Sequence, residues 1–191
     1  MLKKISLFLL LTVSLNAYTQ EFHIDPGHTA ITSKVQRFGM VDVLGRFNDV
    51  EGIISYDKSD ITKIKVQVTI NTASYTSNNI AGEDAVKSQV FLDVRNFPQM
   101  TFNSKRVNKK DDQFIMVGDL NLHGVTKEIT FPFTLLEPFK DPTGITTIAA
   151  HATLVINRQD FGITFSKKLP NGKEFIGNEV TIELNVLGAV Q

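Results

Sequence analysis

Apolar and polar residues alternate with a period of two along most of the chain, which predicts β-strands rather than helices. The clearest case is the segment 120–133, in which two alternating runs are joined at His123 and Gly124. Gly124 permits the positive φ that a tight turn requires, so the segment is predicted to be a β-hairpin. A hairpin with one apolar face must bury that face, and the rest of the chain offers mostly the same pattern.

This pattern predicts eight strands and one short helix. The helix is predicted within 78–92, between the third and fourth strands, because Asn79 can cap it and acidic residues follow. Gly45 and Gly52 lie in the second strand, which we interpret as one bent strand with a bulge or a sharp coil at the glycines. The strands are predicted at 30–38, 44–56, 62–71, 100–107, 114–122, 125–136, 146–156 and 179–187.

With so little helix to cover a sheet, the inward faces of the strands must meet one another. Consecutive hairpins of long strands favour an all-β, eight-stranded antiparallel up-and-down barrel, because closure removes exposed edges. The interior of such a barrel is either filled by side chains or wide enough for one small ligand. Small inward residues, Ala150, Ala152 and Gly118, indicate free space, but the pattern leaves both forms open.

Composition narrows the class of protein. The 191 residues suit one domain, and 20 basic side chains balance 20 acidic ones, so nucleic acid is not an expected partner. The absence of cysteine excludes disulfides, thiolate metal sites and a cysteine nucleophile.

The amino terminus is typical of a secretory signal peptide. A basic head with Lys3 and Lys4 precedes the apolar run 5–15 and the small residue Ala17. About 11 apolar residues are too few for a membrane span, which needs about 20. We expect residues 1–17 to be a signal peptide and residues 18–191 to be a single domain without stable membrane insertion.

No arrangement of residues points to catalysis. The sequence has no Gly-x-Ser-x-Gly elbow, phosphate-binding loop or dinucleotide motif, so we predict no enzyme, no catalytic residue and no cofactor. Arg158 and Asp160 follow a predicted strand directly, and they can form either a structural ion pair or ligand contacts. No metal site is predicted, because none of the four histidines stands in a zinc-binding spacing; they are His23, His28, His123 and His151.

Phenylalanine carries a second signal. The chain has 14 phenylalanines, three tyrosines and no tryptophan. Such rings often form plain core, but rings without hydrogen-bond donors also suit an apolar ligand better than a sugar.

Several short motifs stand in the order typical of the YceI-like family, and the resemblance runs from about residue 22 to 186. They are Ile24-Asp25-Pro26-Gly27-His28-Thr29, Gly45-Arg46-Phe47 through Gly52, Asp93-Val94 with Phe97-Pro98 and Thr101-Phe102, Gly118-Asp119-Leu120 through Lys127, and Asn157-Arg158-Gln159-Asp160-Phe161-Gly162. The resemblance implies a lipocalin-like barrel in the bacterial periplasm that binds a polyisoprenoid or similar long-chain amphiphile, with no established catalytic activity.

Two positions depart from that family. Arg37 stands where the family commonly has histidine, and Asp84-Ala85-Val86 stands where it commonly has Asp-His-Leu. If those histidines contact the head group of the ligand, the ligand of this chain differs there, for instance by an anionic head paired with Arg37.

We therefore predict non-enzymatic binding, transport or storage of an isoprenoid quinone, a polyprenyl or a fatty-acid-like lipid, by a periplasmic or secreted protein. The alternatives are an extracytoplasmic interaction protein with a filled barrel and, third, a hydrolase; a homodimer is left open. The residues predicted to contact the lipid tail are Val35, Val66, Val68, Phe102, Leu120, Phe131, Phe133, Ala152 and Leu154. The residues predicted near the head group are Arg37, Asp84, Arg158 and Asp160.

Overall fold

The computed structural model describes residues 19–191, in which eleven β-strands and one α-helix form. The predicted signal peptide lies outside the described residues. The helix α1 spans Ile80–Lys87. The strands are β1 (Thr19–Ile24), β2 (Ala30–Arg37), β3 (Val41–Phe47), β4 (Val50–Asp57), β5 (Lys65–Asn71), β6 (Tyr75–Thr76), β7 (Gln99–Lys110), β8 (Gln113–Leu122), β9 (Val125–Lys140), β10 (Thr146–Asn157) and β11 (Ile176–Ala189).

The sheet closes on itself through β11, which pairs with β10 along one edge and with both β1 and β2 along the other. β1 and β2 therefore form one interrupted stave of the barrel, and β3 and β4 form a second one. With β5, β7, β8, β9, β10 and β11 this makes eight staves, and the predicted eight-stranded antiparallel barrel is confirmed. The two-residue strand β6 only extends the edge of β3.

The hairpin predicted at 120–133 forms as expected. β8 and β9 pair from Leu122 opposite Val125, and the two turn residues His123 and Gly124 have φ values of 53° and 75°. Two positive φ values are the geometry of the type I′ turn, whose twist matches that of the flanking strands. Phe131 is buried while its neighbours are exposed, so the period of two gave the correct inward face.

The glycines act differently from the prediction. The second predicted strand breaks at residues 48–49, between β3 and β4, and not at a glycine. Gly45 lies under the ring of Tyr75, and Gly118 lies under the ring of Phe102. The interpretation of Gly118 as free space was therefore wrong, because an aromatic ring occupies that space.

Gly52 has the strictest requirement, since a Cβ there would overlap the carbonyl oxygen of Gln67 on the neighbouring strand. We expect Gly52→Ala to lower the free energy of unfolding by about 1–3 kcal/mol, as overpacking does. Gly82→Ala in α1 should raise it by about 0.5–1 kcal/mol, because its Cβ would meet only the mobile side chain of Asn79 and alanine favours the helix. Urea unfolding measures both; equal signs for the two variants would contradict the assignment.

The predicted helix forms as α1, and the segment 77–98 around it crosses one end of the barrel between β6 and β7. Asn79 occupies the N-cap position without a side-chain capping bond, and the carboxylate of Glu83 accepts from the backbone N–H of Ser77 at 2.6 Å instead. We call this the helix end. The opposite end carries the β7–β8 and β9–β10 connections, and we call it the far end. In the described part of the chain, every helix is too short or too polar to cross a membrane.

Candidate ligand-binding cavity

The barrel encloses a cavity of about 260 Å³. At the far end, the fully buried side chains of Phe22 and Ile148 belong to the cluster that fills the barrel. At the helix end, Val86, Phe91 and Leu92 from the segment 77–98 line the cavity. The cavity therefore extends from a packed floor to the segment that crosses the helix end.

The lining is almost entirely apolar, and every stave contributes to it. Two small residues predicted to face inward, Ala150 and Ala152, do line the cavity. The hollow form of the barrel is therefore the one observed, and the filled form is not. The side chains with polar atoms in the lining are Thr32, Ser33, Tyr75, His151 and Arg158.

Eight of the nine residues predicted to contact a lipid tail lie in the cavity wall. The exception is Val35, which is half-buried on β2 between Val43 and Val180 and is not part of the wall. The eight are Val66, Val68, Phe102, Leu120, Phe131, Phe133, Ala152 and Leu154. Their contact with a ligand stays a prediction.

One whole face of β11 was missing from that set, although its period of two was visible in the sequence. It consists of Val180, Ile182, Leu184 and Val186, all in the cavity wall.

The four residues predicted near a head group do not converge. Only Arg158 lines the cavity, whereas Asp84 and Asp160 are exposed to solvent. Arg37 is half-buried at the helix end, where its guanidinium lies 4.6 Å from the ring centroid of Phe38 and 5.0 Å from that of Phe175. The structure thus offers no single charged head-group site made of these four side chains.

Arg158 has a structural role. Its guanidinium donates to the carbonyl oxygens of Ile163 at 2.6 Å and Phe165 at 2.6 Å, and to that of Gly177 at 2.9 Å. It also donates to the side chain of Asn178 at 2.8 Å. These bonds tie the irregular segment after β10 to the start of β11.

The ion pair considered for Arg158 is absent. Among residues 19–191, no carboxylate lies within 4 Å of its guanidinium, and Asp160 points into solvent. Burial lowers the pKa of Arg158, since it removes water from the charged form. The guanidinium is held by carbonyl dipoles, and few of its donors remain for a ligand.

A polar pair in the cavity wall was not anticipated from the sequence. Tyr75 is buried against Phe47, with ring centroids 5.4 Å apart, and its hydroxyl bonds the side chain of Ser33. Burial raises the pKa of Tyr75, and the bond with Ser33 opposes that shift. The neutral phenol is a hydrogen-bonding group inside an apolar chamber, where it can orient one polar atom of a ligand.

The first motif of the chain serves the turn between β1 and β2. Asp25 accepts from the N–H of Gly27 at 2.8 Å and pairs with the ring of His28 at 2.7 Å, and these bonds hold the pKa of Asp25 below its usual value. The buried hydroxyl of Thr29 bonds both backbone groups of Leu187 on β11. Within the described range, no group of three or more histidine or carboxylate side chains is placed to hold a metal ion.

A closed eight-stranded barrel with a dry, hollow interior belongs to the lipocalin-like class of barrels. A model of the YceI-like domain matches residues 22–187, so the chain belongs to the YceI-like family. It is 34% identical over 151 residues to Protein YceI of Salmonella arizonae, a match that covers 78% of this chain and 79% of that protein.

Solved structures share the fold. BcnA of Burkholderia cenocepacia superposes with a TM-score of 0.74 at 19% identity, over 86% of this chain and 98% of that one. A polyisoprenoid-binding domain of Saccharophagus degradans superposes with a TM-score of 0.66 at 12% identity, over 89% of this chain and 98% of that one.

Proposed function

We propose that this protein binds a polyisoprenoid or a similar long-chain amphiphile inside its barrel, and that it carries or stores this lipid without changing it chemically. The observation that carries the proposal is the continuous apolar wall of the cavity, to which all eight staves contribute. The structural similarity to a domain described as polyisoprenoid-binding supports the same class of ligand.

The energetics favour a chain-like ligand. Each methylene removed from water contributes about 0.8 kcal/mol, and only an uninterrupted apolar wall collects that sum along a chain. A charged head group would lose its hydration inside, and the bonds of Arg158 leave it few donors in return. A neutral carbonyl or hydroxyl can instead bond to Tyr75 or Ser33, so an isoprenoid quinone or a polyprenyl alcohol fits better than a fatty-acid anion.

The two alternative functions have less support. An interaction protein with a filled barrel lacks its premise, because the interior is hollow. A hydrolase would need a nucleophile beside a base. In residues 19–191, the hydrogen bonds of histidine side chains go to Asp25 and Asn185, and neither partner is a hydroxyl.

We also propose that residues 1–17 direct export to the periplasm, and that residues 18–191 act there as one domain. The basic head, short apolar run and small residue of that segment support export. The proposed partner is the lipid alone, and the number of subunits is left open.

Native mass spectrometry of the protein purified from the periplasm of its own cells tests the proposal. We expect a bound mass of several hundred daltons, roughly that of a chain long enough to fill the cavity. Protein of exactly the chain mass that also fails to take up added prenyl quinone or polyprenol would contradict the proposal.

A further inference from the structure

Two hairpin tips stand side by side at the helix end. One is the β2–β3 hairpin, residues 34–44, and the other is the loop 165–175 that precedes β11. The N–H of Phe38 donates to the carbonyl of Phe175 at 3.0 Å, and the ammonium of Lys173 to the carbonyl of Gly39 at 3.3 Å. We call these two segments the rim.

The rim exposes large apolar side chains. Met40 is 76% exposed and Leu44 is 63% exposed, and Phe38 and Val41 beside them are exposed as well. Single exposed apolar residues are ordinary, but a group of four on one hairpin indicates an interaction surface.

Phe38 is held in an unfavourable conformation. Phe38 and Gly39 form the two-residue turn between β2 and β3, with φ values of 59° and 65°. Such a type I′ turn prefers Asn-Gly, and a bulky side chain at positive φ is uncommon. The turn therefore does not explain a phenylalanine at this position, whereas an exposed apolar contact does.

The rim is also basic, although the chain as a whole is neutral. Its two segments contain five basic and two acidic residues. Lys34 pairs with Asp42 at 3.6 Å. In the described part of the chain, none of the remaining four cations has a carboxylate within 4 Å; they are Arg37, Lys167, Lys168 and Lys173. The other acidic residue, Glu174, accepts from the hydroxyl of Ser166 at 3.1 Å.

A row of aromatic rings connects the rim to the cavity. The ring centroids of Phe38 and Phe175 are 5.2 Å apart, those of Phe175 and Phe165 are 6.4 Å apart, and those of Phe165 and Phe91 are 5.3 Å apart. Phe91 lines the cavity. The exposed tip and the interior are thus joined by one apolar path.

We propose that the rim docks the barrel on the surface of an anionic lipid bilayer. Apolar side chains that enter the interface and cations that meet acidic head groups are the two components of peripheral membrane binding. The proposal goes beyond cargo binding, because the rim lies outside the cavity. It places the aromatic row against the bilayer, so that a lipid can pass between membrane and barrel without crossing water.

Flotation with vesicles tests docking without any cargo. We expect the protein to bind vesicles that contain about one third phosphatidylglycerol, to bind pure phosphatidylcholine vesicles at least about tenfold more weakly, and to dissociate as salt rises. Phe38→Asn should weaken binding about tenfold while its melting temperature is kept or raised, because it creates the preferred Asn-Gly turn. Lys167→Gln/Lys168→Gln should weaken binding by a similar factor.

Matched controls lie at the far end of the barrel. Lys109→Gln/Lys110→Gln removes a pair of adjacent exposed lysines there, and Leu136→Ser removes an exposed apolar side chain. Both should bind vesicles like the wild type. Equal losses in rim and control variants, or no binding of the wild type to anionic vesicles, would overturn the proposal. Rim-dependent capture of a protein without vesicle binding would also overturn it. A protein that binds vesicles but no prenyl lipid would support docking and contradict only the proposed cargo.

Discussion

Leu154→Trp should abolish or strongly weaken the binding of long-chain lipids while the barrel remains folded. Leu154 projects from β10 into the cavity and is only half-buried, so a larger side chain enters free space rather than packed core. An indole that displaces roughly two to three methylenes of ligand, at about 0.8 kcal/mol each, weakens binding by about 2 kcal/mol, or about thirtyfold. Displacement of a fluorescent prenyl probe measures this loss.

The neighbouring residue provides the control. Val155 is exposed on the outer face of β10, so Val155→Trp adds the same ring outside the barrel. It should bind the probe like the wild type. If Leu154→Trp remains folded by circular dichroism and still binds the probe as the wild type does, the cavity is not the binding site.

Arg158→Ala should cause the largest loss of stability among single substitutions discussed for this protein. It would leave the carbonyls of Ile163, Phe165 and Gly177 without their donor. Removing one member of a buried charged network typically costs about 3–5 kcal/mol, a large part of the 5–15 kcal/mol that stabilises most domains. We expect hydrogen exchange to accelerate first in residues 162–178.

Two variants calibrate that result. Arg158→Lys keeps the charge but not the planar fork of donors, so its stability should lie between those of the wild type and Arg158→Ala. Arg106→Ala removes an exposed arginine whose partner is Glu128 at 3.4 Å, and should cost less than about 1 kcal/mol. Similar unfolding midpoints for Arg158→Ala and Arg106→Ala in denaturant would show that the buried network is not a major source of stability.

The sequence was most informative where one face of a strand is dry. Val66 and Val68 on β5, and Phe131 and Phe133 on β9, were assigned inward from their spacing alone, and all four line the cavity. A register error of one residue would turn every apolar side chain outward, so the period of two determines both the strand and its orientation.

Side chains in turns and short helices could not be placed this way. Asp84 lies on α1 and Asp160 in a single turn of 3₁₀ helix, and the direction of each depends on how that short element docks. Arg37 has Phe175 as a partner, which is distant in sequence. Tyr75 likewise became part of the cavity wall because β6 pairs with β3, a contact with no local signal.

Arg158 shows the same limit at the level of chemistry. Its position after a strand marked it as important, yet its partners are backbone carbonyls, and any residue type can supply those. A sequence search for an acidic partner therefore pointed to Asp160, which is merely near in the chain.

The join between β1 and β11 affects the timing of folding. These strands meet at only two residue pairs, His23 with Ala189 and Ile24 with Gly188, and they come from opposite ends of the described chain. The ring cannot close until the last strand has left the ribosome, which takes about 10–40 s at usual rates of synthesis. Contacts so distant in sequence also form slowly. For a nascent chain that carries the export signal proposed here, this delay leaves the polypeptide unclosed, in a state that a translocation channel can thread.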